Sequence, residues 1–180
     1  MRIGEQSARL PKTTAAMAYA QGRHRGQLRK ADRAPFIEHP LEVARLLYRA
    51  GGSDEVIAAG LLHDTIEKTG ADAGELRARF GNRVANLVLA LSEDPTIPTY
   101  ARRKAALRDQ VDAAGHDALM VFAADKVSKV RELGLGASYS QRRLTHYRRC
   151  LELLERRLSD SPLVAQLRIE LDRVAAPAFA

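Results

Sequence analysis

The chain has 180 residues, 46% of them hydrophobic and 28% charged, a globular balance that excludes a disordered or fibrous protein and amounts to about one domain. Residues 1–10 carry charges without an apolar run, and nowhere do about 18 apolar residues follow one another, so neither a signal peptide nor a membrane span is expected. A net charge of +7 favours anionic partners without choosing among nucleotide phosphates, nucleic acid and an acidic surface.

Pro11 suits the first turn of a helix predicted over 11–28, where a missing amide hydrogen costs nothing. Pro35 and Pro40 bracket a loop ahead of a helix over 41–50, which Gly51 and Gly52 end. Ser53, Asp54 and Glu55 supply a cap and favourable charge for a helix over 53–68. Further helices are predicted over 73–80, 82–92, 99–113, 117–135, 140–158 and 162–174, with a surface loop near the site at 93–98 and frayed residues at 175–180. The clearest period is Leu144, Tyr147, Leu151, Leu154 and Leu158, a core-facing stripe. Between them Arg142, Arg143, Arg148, Arg149, Glu152, Arg156 and Arg157 read as a solvated face that includes His146. No stretch alternates as a strand, and no repeat or linker divides the chain. The expected fold is therefore all-α, a compact bundle forming a single domain over 1–180 with its core at about 12–158. The single cysteine, Cys150, cannot form an internal disulfide and reads as an ordinary helix residue in a reducing, cytoplasmic compartment.

Four residues stand out chemically: His39 at a helix start, the pair His63 and Asp64 inside an apolar helix, and Asp125 inside the apolar stretch 120–130. Burying a carboxylate or imidazole without a partner costs several kcal/mol, so such residues need a cation or a charged donor. One divalent metal satisfies all four. Two imidazoles with two carboxylates form a mixed nitrogen and oxygen set suited to Mn²⁺, the first choice here, or to Fe²⁺ or Zn²⁺, with positions left for water and a phosphate oxygen. The alternative for an isolated His–Asp pair is an ordinary hydrogen-bonded pair. Glu67, four residues after His63 and three after Asp64, is expected one helical turn on over the same face, where it would hold or deprotonate the attacking water. The basic segment 23–30 is expected either to clamp a polyphosphate or to be an exposed helix end, and Lys126, Lys129 and Arg131 to extend an anion-binding surface. His116 reads as a loop or capping residue.

Taken together, these segments resemble the HD hydrolase domain of the RelA/SpoT family, in its small stand-alone alarmone hydrolase form of the metazoan SpoT homologue type, over roughly 12–158. His24-Arg25-Gly26-Gln27-Leu28-Arg29-Lys30 is similar to that family's HxGQxRK, Pro35-Phe36-Ile37-Glu38-His39-Pro40 to its PYIxHP, and Leu61-Leu62-His63-Asp64-Thr65-Ile66-Glu67 to its LLHDxxE. Phe80-Gly81-Asn82-Arg83-Val84 is like its FGxxV, and Ala124-Asp125-Lys126 like its ADK. The resemblance implies an HD-type helical fold, Mn²⁺ held by His39, His63, Asp64 and Asp125, and hydrolysis of the 3′-pyrophosphate of guanosine tetra- or pentaphosphate. It further implies that Arg29 and Lys30 contact the guanine and its phosphates and that Glu67 is the first carboxylate of a pair that activates water.

Two positions depart from the family pattern. The second carboxylate of that pair is here Lys68, which would replace its role, neutralise Asp64 or grip a substrate phosphate. The asparagine four residues after the last aspartate is here Lys129. The length leaves no room for an alarmone synthetase domain. The other readings are a broader nucleotide phosphatase, including removal of the 2′-phosphate of NADPH, and a degenerate domain that binds nucleotide as a regulator. Few aromatics and no base-reading motif argue against nucleic acid.

Overall fold

Between Leu10 and Arg33 the chain already shows how tertiary contacts edit a helical pattern. In the computed structural model, which describes residues 10–135 and 140–175, the first helix, α1 (Pro11–Arg23), stops well short of 28. Gly26 takes a positive φ of 76°, and the chain doubles back so that Leu28 bridges Pro35. Arg29 donates its amide to Ala34 O at 2.8 Å and Phe36 to Gln27 O at 2.8 Å, which makes the basic segment a clamped loop rather than a helix end. The readings made for 1–9 and 176–180 lie outside the described residues.

Helix α2 (Glu38–Arg49) starts three residues earlier than the proline at 40 suggests. Pro40 falls in the first turn, whose amides have no helical acceptor, so the helix tolerates it. Helix α3 (Asp54–Leu62) is capped by the Ser53 hydroxyl, and every residue from Val56 to Leu62 is buried. The helix predicted to continue to 68 breaks at the His63–Asp64 step and restarts as α4 (Thr65–Thr69). The cause is local competition for carbonyls: the His63 ring donates Nδ1–H to Gly60 O at 2.8 Å, and the Thr65 hydroxyl donates to Leu62 O at 2.7 Å. Gly70 in the left-handed region then ends α4.

The remaining helices follow the pattern within a residue or two: α5 (Ala73–Phe80), α6 (Asn82–Leu91), α7 (Tyr100–Ala114), α8 (His116–Leu135), α9 (Gln141–Arg157) and α10 (Pro162–Ala175). Among the described residues no strand forms, so the all-α expectation holds. Helix α3 is the inner helix, packed on α1, α2, α6 and α8, and α8 in turn carries α2, α7, α9 and α10. Both helices are buried along most of their length, α3 by apolar residues and α8 by apolar residues together with Asp125, Lys126 and Ser128. A Cβ on Gly60 would meet Leu47 Cδ1 at 2.4 Å, so its absence is what lets α2 and α3 close behind the site. One hydrophobic cluster runs from Ala16 to Val174 and takes Leu163, Leu167 and Leu171 from α10.

Helix α9 corrects one expectation. Its arginines are exposed as predicted, but His146 is buried at 5% exposure, together with Cys150 and Leu153, while Leu151 is only half-buried. Residues 146, 150 and 153 form a second ridge beside the leucine stripe, because α9 is covered by α7 and α10 as well as α8. His116 is exposed at the start of α8.

Candidate metal centre

Helix α2 brings His39, the α3–α4 break brings His63 and Asp64, and the middle of α8 brings Asp125. Each is at most 3% exposed. His39 Nε2 and His63 Nε2 stand 3.2 Å apart. Asp125 Oδ1 lies 3.2 Å from the first and 3.3 Å from the second, and Asp64 Oδ2 lies 3.5 Å from both. Ligand atoms about 2.1 Å from a common ion stand roughly 3.0 Å apart in an octahedron and 3.4 Å apart in a tetrahedron, so the separations among His39, His63 and Asp125 are those of a coordination polyhedron, with Asp64 Oδ2 beside the two imidazoles. Ligand atoms of His39, His63 and Asp125 all fall within 4.8 Å of one another.

Hydrogen bonding sets up the imidazoles for this task. The Ser128 hydroxyl donates to Glu42 Oε2 at 2.6 Å, so its oxygen accepts from His39 Nδ1–H at 2.9 Å. Glu42 is itself held by Arg131 NH1 at 2.8 Å. His63 commits Nδ1–H to Gly60 O. Both rings therefore turn an Nε2 lone pair inward, the tautomer a metal needs. The two carboxylate oxygens that face them, Asp64 Oδ2 and Asp125 Oδ1, are buried without a hydrogen-bond partner. Orphaned buried acceptors are costly, and a divalent cation at their centre removes the cost, so the residues present fit a divalent metal.

The charge around this set is unusual. Lys126 Nζ donates to Asp125 Oδ2 at 2.5 Å and lies 4.2 Å from the centre of the Phe122 ring. Lys129 Nζ lies 2.9 Å from Asp125 Oδ1 and 3.9 Å from Asp64 Oδ1. Burial alone would raise both aspartic acids, but Lys129, joined by Lys126 at Asp125 and by His63 at Asp64, holds both carboxyls well below the usual range. Burial lowers His39, so its ring stays neutral. At His63 burial also opposes protonation, but the two carboxylates outweigh it and raise the pKa.

The other expected site residues are distributed differently. Lys126, expected on an anion-binding surface, is buried and spent on Asp125, which corrects that expectation. Arg131 is likewise engaged, by Glu42 and Glu170. Glu67 is exposed and accepts the Glu93 amide on Oε1 at 2.5 Å; its other oxygen makes no hydrogen bond among the described residues. Lys68 is exposed with Nζ 5.1 Å from the centre of the Phe36 ring, which in turn lies 5.7 Å from the His39 ring. Arg29 pairs with Asp32, Lys30 is exposed, and no ion pair joins either to the four central residues. The loop after α6 is held to Glu67: Glu93 anchors it to Arg103 at 2.8 Å and to Lys104, while its amide reaches Glu67.

Residue patterning alone missed Ser128, Glu42 and Glu93. Ser128 follows Asp125 by three residues and Glu42 follows His39 by three, so helical spacing places each beside a ligand, but nothing local says that α2 and α8 face one another.

A family model described as HD domain matches residues 16–151. A Mus musculus protein named guanosine-3′,5′-bis(diphosphate) 3′-pyrophosphohydrolase MESH1 is 34% identical over 153 residues, covering 81% of this chain and 82% of its own. Among solved structures, one titled a metazoan ortholog of SpoT that hydrolyzes ppGpp and plays a role in starvation responses superposes with a TM-score of 0.75 at 24% identity, over 91% of this chain and 93% of that one. The structure of lmo0812 from Listeria monocytogenes EGD-e gives a TM-score of 0.70 at 28% identity, over 81% and 98%.

Proposed function

The chain belongs to the HD domain family, and from that premise we propose that it is a metal-dependent hydrolase that removes the 3′-pyrophosphate of guanosine 3′,5′-bis(diphosphate), giving GDP and pyrophosphate. The observation that carries the chemistry is the meeting of two buried imidazole nitrogens with two buried carboxylate oxygens that make no side-chain hydrogen bond of their own. The substrate rests on the activity named for the mouse relative.

In this reading His39, His63, Asp64 and Asp125 hold Mn²⁺, with Fe²⁺ and Zn²⁺ as the alternatives for the same donor set. A divalent ion supplies Lewis acidity, which lowers the pKa of water and draws charge from a phosphoryl oxygen. Ser128 and Glu42 hold the His39 ring in its ligating tautomer, and Gly60 O does the same for His63. Glu67 orients the attacking water with the carboxylate oxygen that Glu93 leaves open and takes up its proton. The water oxygen bonds to the phosphorus carried on O3′, the P–O3′ bond breaks, and O3′ leaves with the proton that Glu67 took from the water, which returns Glu67 to its carboxylate form. Arg29 and Lys30 supply positive charge for the nucleotide phosphates, and Lys68 adds to it from beside the Phe36 ring. The chain acts as a single domain. A reducing, cytoplasmic setting is supported by the lone buried thiol of Cys150, and among the described residues no helix is long and apolar enough to cross a membrane.

The test is Mn²⁺-dependent turnover of guanosine tetraphosphate with chromatographic separation of GDP, pyrophosphate and orthophosphate. GDP with pyrophosphate is expected. Orthophosphate released from NADPH in the same assay, with the alarmone untouched, would move the substrate to a 2′-phosphate, and nucleotide binding without any turnover would leave a regulator.

A further inference from the structure

Asp64 and Asp125 bring two negative charges into the centre, and Lys126 and Lys129 bring two positive ones. The site is thus balanced before any divalent ion arrives, and adding one leaves an excess of two positive charges in a buried place, which low dielectric makes expensive.

The two lysines are not equally able to relieve that excess. Lys126 has 4% side-chain exposure, donates to Asp125 Oδ2 and lies against Phe122, so it has nowhere to go. Lys129 has 28% side-chain exposure. Its ammonium lies 2.9 Å from Asp125 Oδ1, the very oxygen that faces both imidazole Nε2 atoms. The contact is an ion pair made at an atom the metal also needs. A lysine stem is long enough to swing its head toward solvent while its methylenes stay in place.

The geometry points to Lys129 as a tethered counter-cation that couples metal and anion binding: it neutralises Asp125 and Asp64 when no divalent ion is bound and turns to a phosphate-type anion when one is. This rests on the metal-centre reading above and adds to it a regulation of the same site. Linkage makes the effect reciprocal, so phosphate must tighten the metal by the factor by which the metal tightens phosphate.

The test measures Mn²⁺ affinity directly, from the electron paramagnetic resonance signal of free Mn²⁺, on the full chain with and without inorganic phosphate, corrected by a protein-free titration. In the wild-type protein phosphate is expected to tighten Mn²⁺ by about tenfold. Lys129→Gln is expected to bind Mn²⁺ about tenfold more tightly without phosphate and to gain little when it is added, whereas Lys129→Arg, which keeps the charge, behaves as the wild type. Equal Mn²⁺ affinities in Lys129→Gln and wild type under both conditions would overturn the coupling while leaving the metal centre standing. Absence of Mn²⁺ binding in all three proteins would overturn the metal centre and the coupling with it.

Discussion

The chain buries a histidine pair and, apart from it, a single-histidine cluster around His146, and the two mean opposite things. At His39 and His63 each ring spends Nδ1 on a protein acceptor, and the two Nε2 atoms converge with carboxylate oxygens that have no partner. At His146 the ring meets Arg108 NH1 at 3.3 Å and the Cys150 sulfur at 3.6 Å and 3.7 Å, with Lys126 and Lys104 also acting on it. Burial, aided by these cations, pushes the His146 pKa down to about 2, and burial lifts the Cys150 thiol to about 11. In the first cluster two buried carboxylate oxygens face the rings, whereas in the second the ring faces a guanidinium and a thiol. Burial of a histidine therefore says little by itself; the sign of its neighbours decides whether it is a ligand or a packed side chain.

The sharpest way to break this contrast is to remove one ring from each cluster. His63→Ala is expected to lower kcat/KM for Mn²⁺-dependent pyrophosphate release by roughly a thousandfold or more, because it deletes a ligand and a partner of both aspartates. His146→Gln should leave Mn²⁺ affinity within about twofold of the wild type, because its ring pairs with Arg108 and Cys150 and with none of the four central residues. Comparable losses of Mn²⁺ binding in both variants would mean that the two clusters form one functional unit.

A smaller effect probes how the first cluster is prepared. Ser128→Ala cuts the chain from Arg131 through Glu42 to His39 without touching a ligand. Mn²⁺ affinity measured by calorimetry is expected to fall about 10–100-fold, the usual cost of losing such a supporting hydrogen bond. An unchanged affinity would show that packing alone holds the His39 ring.

The second cluster has its own signature in acid. His146 takes up a proton readily in the unfolded chain, near pH 6.5, but resists it in the fold down to about pH 2. Its contribution to stability is thus complete above pH 6.5 and declines as pH falls below that value, since protonation favours the unfolded state. Denaturant midpoints measured from pH 7 to pH 4 should fall less steeply in His146→Gln than in the wild type, and parallel slopes would argue that the histidine is charged in the fold.

Much of this was legible along the chain because helices advertise themselves locally. The cap at Ser53, the apolar runs of α3 and α8 and the leucine period of α9 depend only on neighbours in sequence. The four central residues also stood out, since polar groups within apolar runs need partners. What stayed hidden depended on distant contacts or on side chains competing with the backbone: the break at His63–Asp64, the loop formed by the basic segment, the burial of His146 and Lys126, and the bond between Ser128 and His39, which are 89 positions apart.

Lys68 tests the exposed surroundings of the first cluster rather than its buried core. It is exposed, and its ammonium faces the Phe36 ring at 5.1 Å, so replacing it should disturb folding little. Lys68→Asp restores the second carboxylate of the pair that the resemblance implies and places a second acceptor one residue from Glu67. Turnover of guanosine tetraphosphate under saturating Mn²⁺ is expected to rise by a few-fold, because two carboxylates hold and deprotonate water better than one. The opposite result, a fall in kcat/KM with kcat preserved, would identify the lysine as a grip on the substrate's phosphates, since removing a ground-state contact raises KM alone.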